Sequence, residues 1–196
     1  MHLVLDIFQG VGIAVAVGIR PFLPALAVGA LAAGDVQIEF KGTDFSFLQS
    51  APFLLGVLIA AVAVALIERR LGPRAVGRGA LPVVIGALAL ALGALLFAGA
   101  LAQDHYAAWP GVIGGVVCAA LAALATRPLI ARVRARLERD GASAVPVYAE
   151  GAALAVAALS VLAPPFGLVM LVLLGWLLLA DRRRDPQKYA GLRILR

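Results

Sequence analysis

Seven apolar segments constrain this chain more than anything else in it. They cover residues 3–18, 22–33, 53–67, 80–102, 111–126, 145–162 and 166–180. Most run to fifteen residues or more, too long for buried strands and close to what a helix needs to cross a bilayer. They predict an all-α integral membrane protein, a bundle of about six to seven segments. Segment 22–33 is the exception. At about 1.5 Å per residue it covers roughly 18 Å, short of a ~30 Å hydrocarbon core. It is either a half-span, a re-entrant helix or the second part of one broken helix.

Composition agrees. The chain is 63% hydrophobic and 14% charged, where a soluble domain is nearer half and a quarter. Its 196 residues allow one bundle and no second sizeable domain. The expected organisation is one transmembrane domain over 1–181 and a basic tail over 182–196. The first nineteen residues hold no Lys or Arg, so the basic start of a removable signal peptide is missing. Cys118 is the only cysteine. It stands in an apolar run, where a thiolate is disfavoured, and reads as buried filler.

The charges set an orientation. Of 17 Lys and Arg, four lie in 69–78, four in 132–140 and six in 182–196. The connection 35–50 carries one Lys against three acids, and 102–110 carries only Asp104. Short basic loops stay in the cytoplasm. The loops after the third and fifth segments and the C-terminus are therefore expected inside, and 35–50 and 103–106 outside, with Tyr106 and Trp109 in an outer aromatic belt. Placed this way, the basic residues are explained by topology and by contact with anionic lipids at the cytoplasmic face, not by nucleic-acid binding. Two local patterns refine the picture. Val36, Ile38 and Phe40 alternate with Gln37, Glu39 and Lys41, and Phe45 and Phe47 resume the alternation after a KGTD turn. This predicts a short extracytoplasmic hairpin, an interfacial cap or a lid. In 128–142, Ile130, Val133 and Leu137 share one helical face opposite arginines, which predicts an amphipathic helix on the cytoplasmic surface.

Four ionisable groups stand at or inside the ends of the apolar segments: Arg20, Glu68, Arg127 and Glu150. A charge in hydrocarbon costs several kcal/mol unless it is paired or reaches water. Arg20 and Arg127 each precede a proline. Pro21 and Pro24 break the first helix at Arg20. If the N-terminus is outside, all four charges fall at one depth in the cytoplasmic third. They can then form a polar site where the broken helix frees backbone groups, as transporters arrange their substrate sites. If the N-terminus is inside, Arg20 lies near the outer face and the cluster does not form. Arg20 could also snorkel to lipid phosphates, and Glu68 could pair with Arg69 or Arg70. Pro164 and Pro165 read as a tight outer turn.

Small residues mark helix contacts: Gly86, Ala89, Gly93 and Ala100 on the fourth segment; Gly111, Gly115 and Ala119 on the fifth; Gly151 and Ala155 on the sixth. They suit a tight bundle and a homo-oligomer.

The stretches GIRPFLPALAVGALA, FSFLQSAPFLLGVLIAAVAVALIE and WPGVIGGVVCAALAALATRP resemble, in that order, a family of small bacterial inner-membrane proteins defined as a domain of unknown function. The resemblance spans most of the chain and is best at Gly-x-Arg-Pro-Phe-Leu-Pro, at Ser50-Ala51-Pro52 and at Glu68. The family carries an acidic pair where this chain has Glu150 and Gly151. The resemblance implies an inner-membrane protein of bacteria and brings no activity.

The expected function is a small transporter or channel for an ion or small solute, using the Arg/Glu cluster at the helix break. An arginine left with net positive character suits an anionic solute; dominant glutamates suit proton or cation coupling. The alternative is a structural or accessory membrane protein whose buried charges lock the bundle. An enzyme is not expected. His2 and His105 are the only histidines, no metal-ligand spacing or nucleophile–base pair is present, and no cofactor is implied. Asp6 and Gln9 share a helical face near the terminus, where such a pair is expected to cap the helix or face water.

Overall fold

A computed structural model describes residues 2–76, 80–137 and 139–190. It is all-helical, with seven α-helices and one 3-10 turn and no strand among the described residues. In chain order these are α1 (His2–Ile19), α2 (Phe22–Ala33), the 3-10 turn (Ser46–Gln49), α3 (Ala51–Val76), α4 (Ala80–Ala102), α5 (Trp109–Arg136), α6 (Arg139–Leu162) and α7 (Pro165–Ala190). Four stretches are long and apolar enough to cross a membrane: Ala51–Glu68, Ala80–Ala102, Trp109–Val133 and Ala144–Leu162. Shorter apolar stretches occupy Leu3–Ile19, Phe22–Ala33 and Pro165–Asp181.

α1 is the axis of the bundle. It packs against α4, α5, α6 and α7, and every side chain from Ile13 to Val17 is fully buried. Glycines let the helices of this bundle approach closely. A Cβ on Gly12 would sit 2.7 Å from Cα of Gly167 in α7, and one on Gly115 of α5 would sit 2.7 Å from Cα of Ala94 in α4. Backbones in contact at these points leave no room for any side chain, the small-residue packing typical of membrane helices. The stripes on α4 and α5 meet as their sequences imply. The one on α6 does not: Gly151 and Ala155 face outward, and Ala153, Val156, Ala157 and Ser160 form the packed face instead.

The chain breaks at Arg20–Pro21 and reverses. Pro21 and Pro24 lack the N–H groups that would have reached the carbonyls of Val17 and Arg20, so α1 cannot continue. α2 starts afresh with Pro24 in its first turn, where a missing donor is harmless. It climbs back beside α6 and α3. The loop after α2 regains the level of Gln9, whose side-chain amide donates to the Gln37 carbonyl at 3.2 Å. α1 and α2 are thus a helical hairpin with Arg20 at its tip. Segment 22–33 is a separate helix that reverses direction after α1.

Two expected elements differ. The 35–50 segment is not a two-stranded hairpin. The N–H of Glu39 donates to Oε1 of Gln103 at 3.3 Å and that of Phe40 to Oε1 of Gln49 at 3.1 Å. Side-chain oxygens thereby take the donors a partner strand would have used. Thr43 holds the following turn through its hydroxyl, which donates to the Phe40 carbonyl at 2.8 Å, and Ser46–Gln49 then coil as the 3-10 turn. Ile38, Phe40 and Leu48 are buried in the protein, so the segment is plugged into the bundle rather than laid in headgroups. Nor is 128–142 a separate surface helix. Residues 128–136 continue α5 past Pro128, and α6 has begun by Arg139; Glu138 lies outside the described residues. Arg132 turns toward the bundle, where its guanidinium meets Asp181 of α7 at 2.7 Å. α7 continues as helix to Ala190 through the first part of the basic tail; residues 191–196 lie outside the described residues.

Candidate functional site

The hairpin tip places Arg20 between α3 and α6. Its Nη1 donates to Oε1 of Glu68 at 3.3 Å, and its Nε lies 3.8 Å from Oε1 of Glu150. Sequence positions 20, 68 and 150 meet because the tip of the α1–α2 hairpin, the last residue of the Ala51–Glu68 apolar stretch and a residue within Ala144–Leu162 fall at one level. Glu150 stands twelve residues before the end of α6, about 18 Å of helix. The three side chains are 12%, 15% and 23% exposed, so the guanidinium neither snorkels nor points at lipid. Glu68 is committed to Arg20. The second oxygen of Glu150, Oε2, is buried with no hydrogen-bond partner among the described residues.

Two carboxylates therefore share one guanidinium, with a formal charge of minus one when all three are ionised. A buried charge is tolerated when paired, and here the pairing leaves one carboxylate oxygen with nothing to accept from. The arrangement can hold or release one proton, or a cation, without dismantling the Arg20–Glu68 bond.

Arg127 does not join them. It is exposed and lies over Gly86 of α4, where a Cβ would stand 2.5 Å from its Nη2. Among the described residues it makes no ion pair. The cluster is Arg20, Glu68 and Glu150, with Pro21 and Pro24 as the break that positions it.

The opposite end of α1 holds a second polar group that the sequence reading undervalued. Asp6 and Gln9 do not face water; they are 6% and 3% exposed. Gln103, the residue after α4, donates through Nε2 to Oδ1 of Asp6 at 3.0 Å and to Oε1 of Gln9 at 3.4 Å. Gln9 donates to the carbonyls of Gln37 and Val161 at 3.2 and 3.4 Å. With its amide turned so that the nitrogen faces them, Gln37 donates to the carbonyls of Val161 and Leu162 at 3.0 and 3.2 Å. These amides satisfy the last carbonyls of α6, which have no partner within the helix. The signal was present: a carboxylate and an amide three residues apart inside an apolar helix, with a third polar side chain closing another apolar helix.

Fold and site define a helical membrane protein with four helices long and apolar enough to span and an ion-paired helical hairpin. The chain belongs to the family described as a domain of unknown function, DUF4126, whose model matches residues 7–184. No curated protein and no solved structure matches it.

Proposed function

We propose that the protein is a proton-linked transporter of a small solute, not an enzyme, with Glu150 as the carboxylate that exchanges the proton. The observation that carries this is one guanidinium shared by Glu68 and Glu150 at a helix break inside a membrane bundle. Of the two solute classes the sequence left open, the excess of carboxylate over guanidinium favours proton or cation coupling over an anionic solute. Re-entrant backbone and broken helices at membrane depth are where transporters place their coupling groups. The reading puts the protein in the bacterial inner membrane as a homo-oligomer, with the basic loops and C-terminus in the cytoplasm against anionic lipid and the 35–50 loop outside.

The test is proton movement into pyranine-loaded proteoliposomes under an imposed potential, with 1,4-diaminobutane or phosphate as solute. Wild-type protein should acidify or alkalinise the lumen well above empty liposomes, and Glu150→Gln should lose at least tenfold. Wild-type protein no better than empty liposomes, or an unimpaired Glu150→Gln, overturns the proposal.

A second reading has its own observation. α3 packs on α2 and the 3-10 turn, and the Glu68–Arg20 bond ties its far half to the hairpin tip, so the charges could serve as a lock alone. Apolar replacement of all three charged residues distinguishes the two: a lock survives it with function intact, whereas a coupling site does not.

A further inference from the structure

Arg127 stands apart from the Arg20 cluster with its charge unmet. It lies inside the apolar stretch Trp109–Val133, eighteen residues after Trp109 and six before Val133. Eighteen residues of helix rise about 27 Å, close to the ~30 Å of a hydrocarbon core. The guanidinium therefore stands where acyl chains give way to headgroups. It is exposed at the surface of the bundle, and among the described residues it has neither an ion pair nor a hydrogen bond. Arg132, five residues on, behaves differently: it meets Asp181 at 2.7 Å, and its Nε donates to the Pro128 carbonyl at 3.1 Å.

Gly86 of α4 gives the Arg127 guanidinium its seat. The three atoms nearest a Cβ at position 86 would be Nη2, Cζ and Nη1 of Arg127, at 2.5, 3.6 and 3.7 Å. A side chain at 86 would take the place of the guanidinium and meet little else. Around this seat the surface is apolar. Leu124, one turn back on α5, and Val83, one turn back on α4, are 53% and 70% exposed.

A cation at this depth costs several kcal/mol unless it finds an anion or water. The anion that a bilayer supplies at this level is the phosphate of a lipid headgroup, and a guanidinium fork matches phosphate oxygens two at a time. A zwitterionic headgroup brings its own cation to compete for that phosphate, whereas an anionic one does not. We infer that the α4–α5 seam at Gly86 and Arg127 binds one anionic phospholipid, its phosphate on the Arg127 guanidinium and an acyl chain along the apolar surface at Leu124. This site rests on the protein lying in a membrane. It holds for either orientation of the bundle, and whether or not Glu150 exchanges protons.

The experiment is native mass spectrometry of the purified, delipidated full-length protein in detergent, titrated with phosphatidylglycerol. Phosphatidylcholine is the zwitterionic control. Diacylglycerol supplies the chains without phosphate, and glycerol phosphate supplies the phosphate without chains. Phosphatidylglycerol should bind severalfold more tightly than phosphatidylcholine, and the other two should not bind in the same range. Arg127→Gln should weaken the first bound phosphatidylglycerol at least fivefold. Arg136→Gln removes the same charge from another exposed residue of α5 and should change it less than twofold. Gly86→Val keeps every charge but occupies the seat, and should weaken binding as Arg127→Gln does. Arg127 has no bond within the described protein to lose, so Arg127→Gln should melt with the wild type; it decides if Gly86→Val does not fold. Phosphatidylglycerol that binds no better than phosphatidylcholine, diacylglycerol or glycerol phosphate overturns the inference. So does an Arg127→Gln or folded Gly86→Val protein that binds like the wild type, or an Arg136→Gln protein that loses as much as Arg127→Gln.

Discussion

Arg20 does two jobs with one side chain. It neutralises the carboxylates on either side, and it fastens the hairpin tip to α3 and α6. Arg20→Ala leaves two buried carboxylates without a cation. Loss of one partner from a buried pair typically costs about 3–5 kcal/mol, so a large drop in thermal midpoint in detergent is expected. Arg20→Lys keeps the charge but replaces a fork that reaches two partners with a single point; it should recover part of the midpoint and leave either Glu68 or Glu150 without its contact. Replacing all three residues with apolar ones should restore most of the stability. At the surface, the hydrogen bond that Lys41 donates to Asp35 holds its ammonium above the ordinary value of 10.5. A cation raised in the folded protein contributes its link fully below that ordinary value and loses it as pH rises through the raised one. A nitroxide at position 44 should therefore keep the same mobility from neutral pH up to about 10 and gain mobility only above it.

Helices were largely legible and loops were not. A 3.6-residue pattern or an unbroken apolar run depends on neighbours along the chain, so α2, α4, α6 and the break at Arg20–Pro21 follow from local residues alone. The 35–50 segment alternates like a strand, yet its backbone donors are taken by Gln49 nearby and by Gln103 sixty-four residues away. Nothing local encodes such a partner. The same holds for 128–136: Pro128 looks like a boundary, but α5 runs through it, and beyond it Arg132 meets Asp181 on α7. In the cluster, Arg20 and its two glutamates were legible because charge in an oily segment is rare. The absence of Arg127 was not, since its position depends on which face of α5 meets α4. At this scale the close approach of α4 and α5 is the sharpest prediction. Gly115→Val would drive a branched side chain into the Gly93–Ala94 backbone. It should cost at least the 1–3 kcal/mol usual for overpacking, read as a lower midpoint, and Gly151→Val, with nothing within 4 Å, should be close to neutral.

For the molecule as a whole, the proposed orientation makes a labelling pattern. With Cys118 buried and replaced by serine, a membrane-impermeant maleimide added to intact cells should modify cysteines placed at Thr43 and Asp104 but not one at Arg136. The reverse pattern would invert the bundle. The position of α1 at the centre has a further consequence, for how the protein is made. Its innermost helix leaves the ribosome before the helices that pack around it. The 12 residues of α2 are too few to span the bilayer, so the nascent hairpin enters the membrane without a length that anchors it. Its guanidinium meets its first counter-charge only when Glu68 follows, and its second only when most of the chain has emerged. Insertion of the early hairpin is therefore provisional, and later helices must gather around it after synthesis has passed it by.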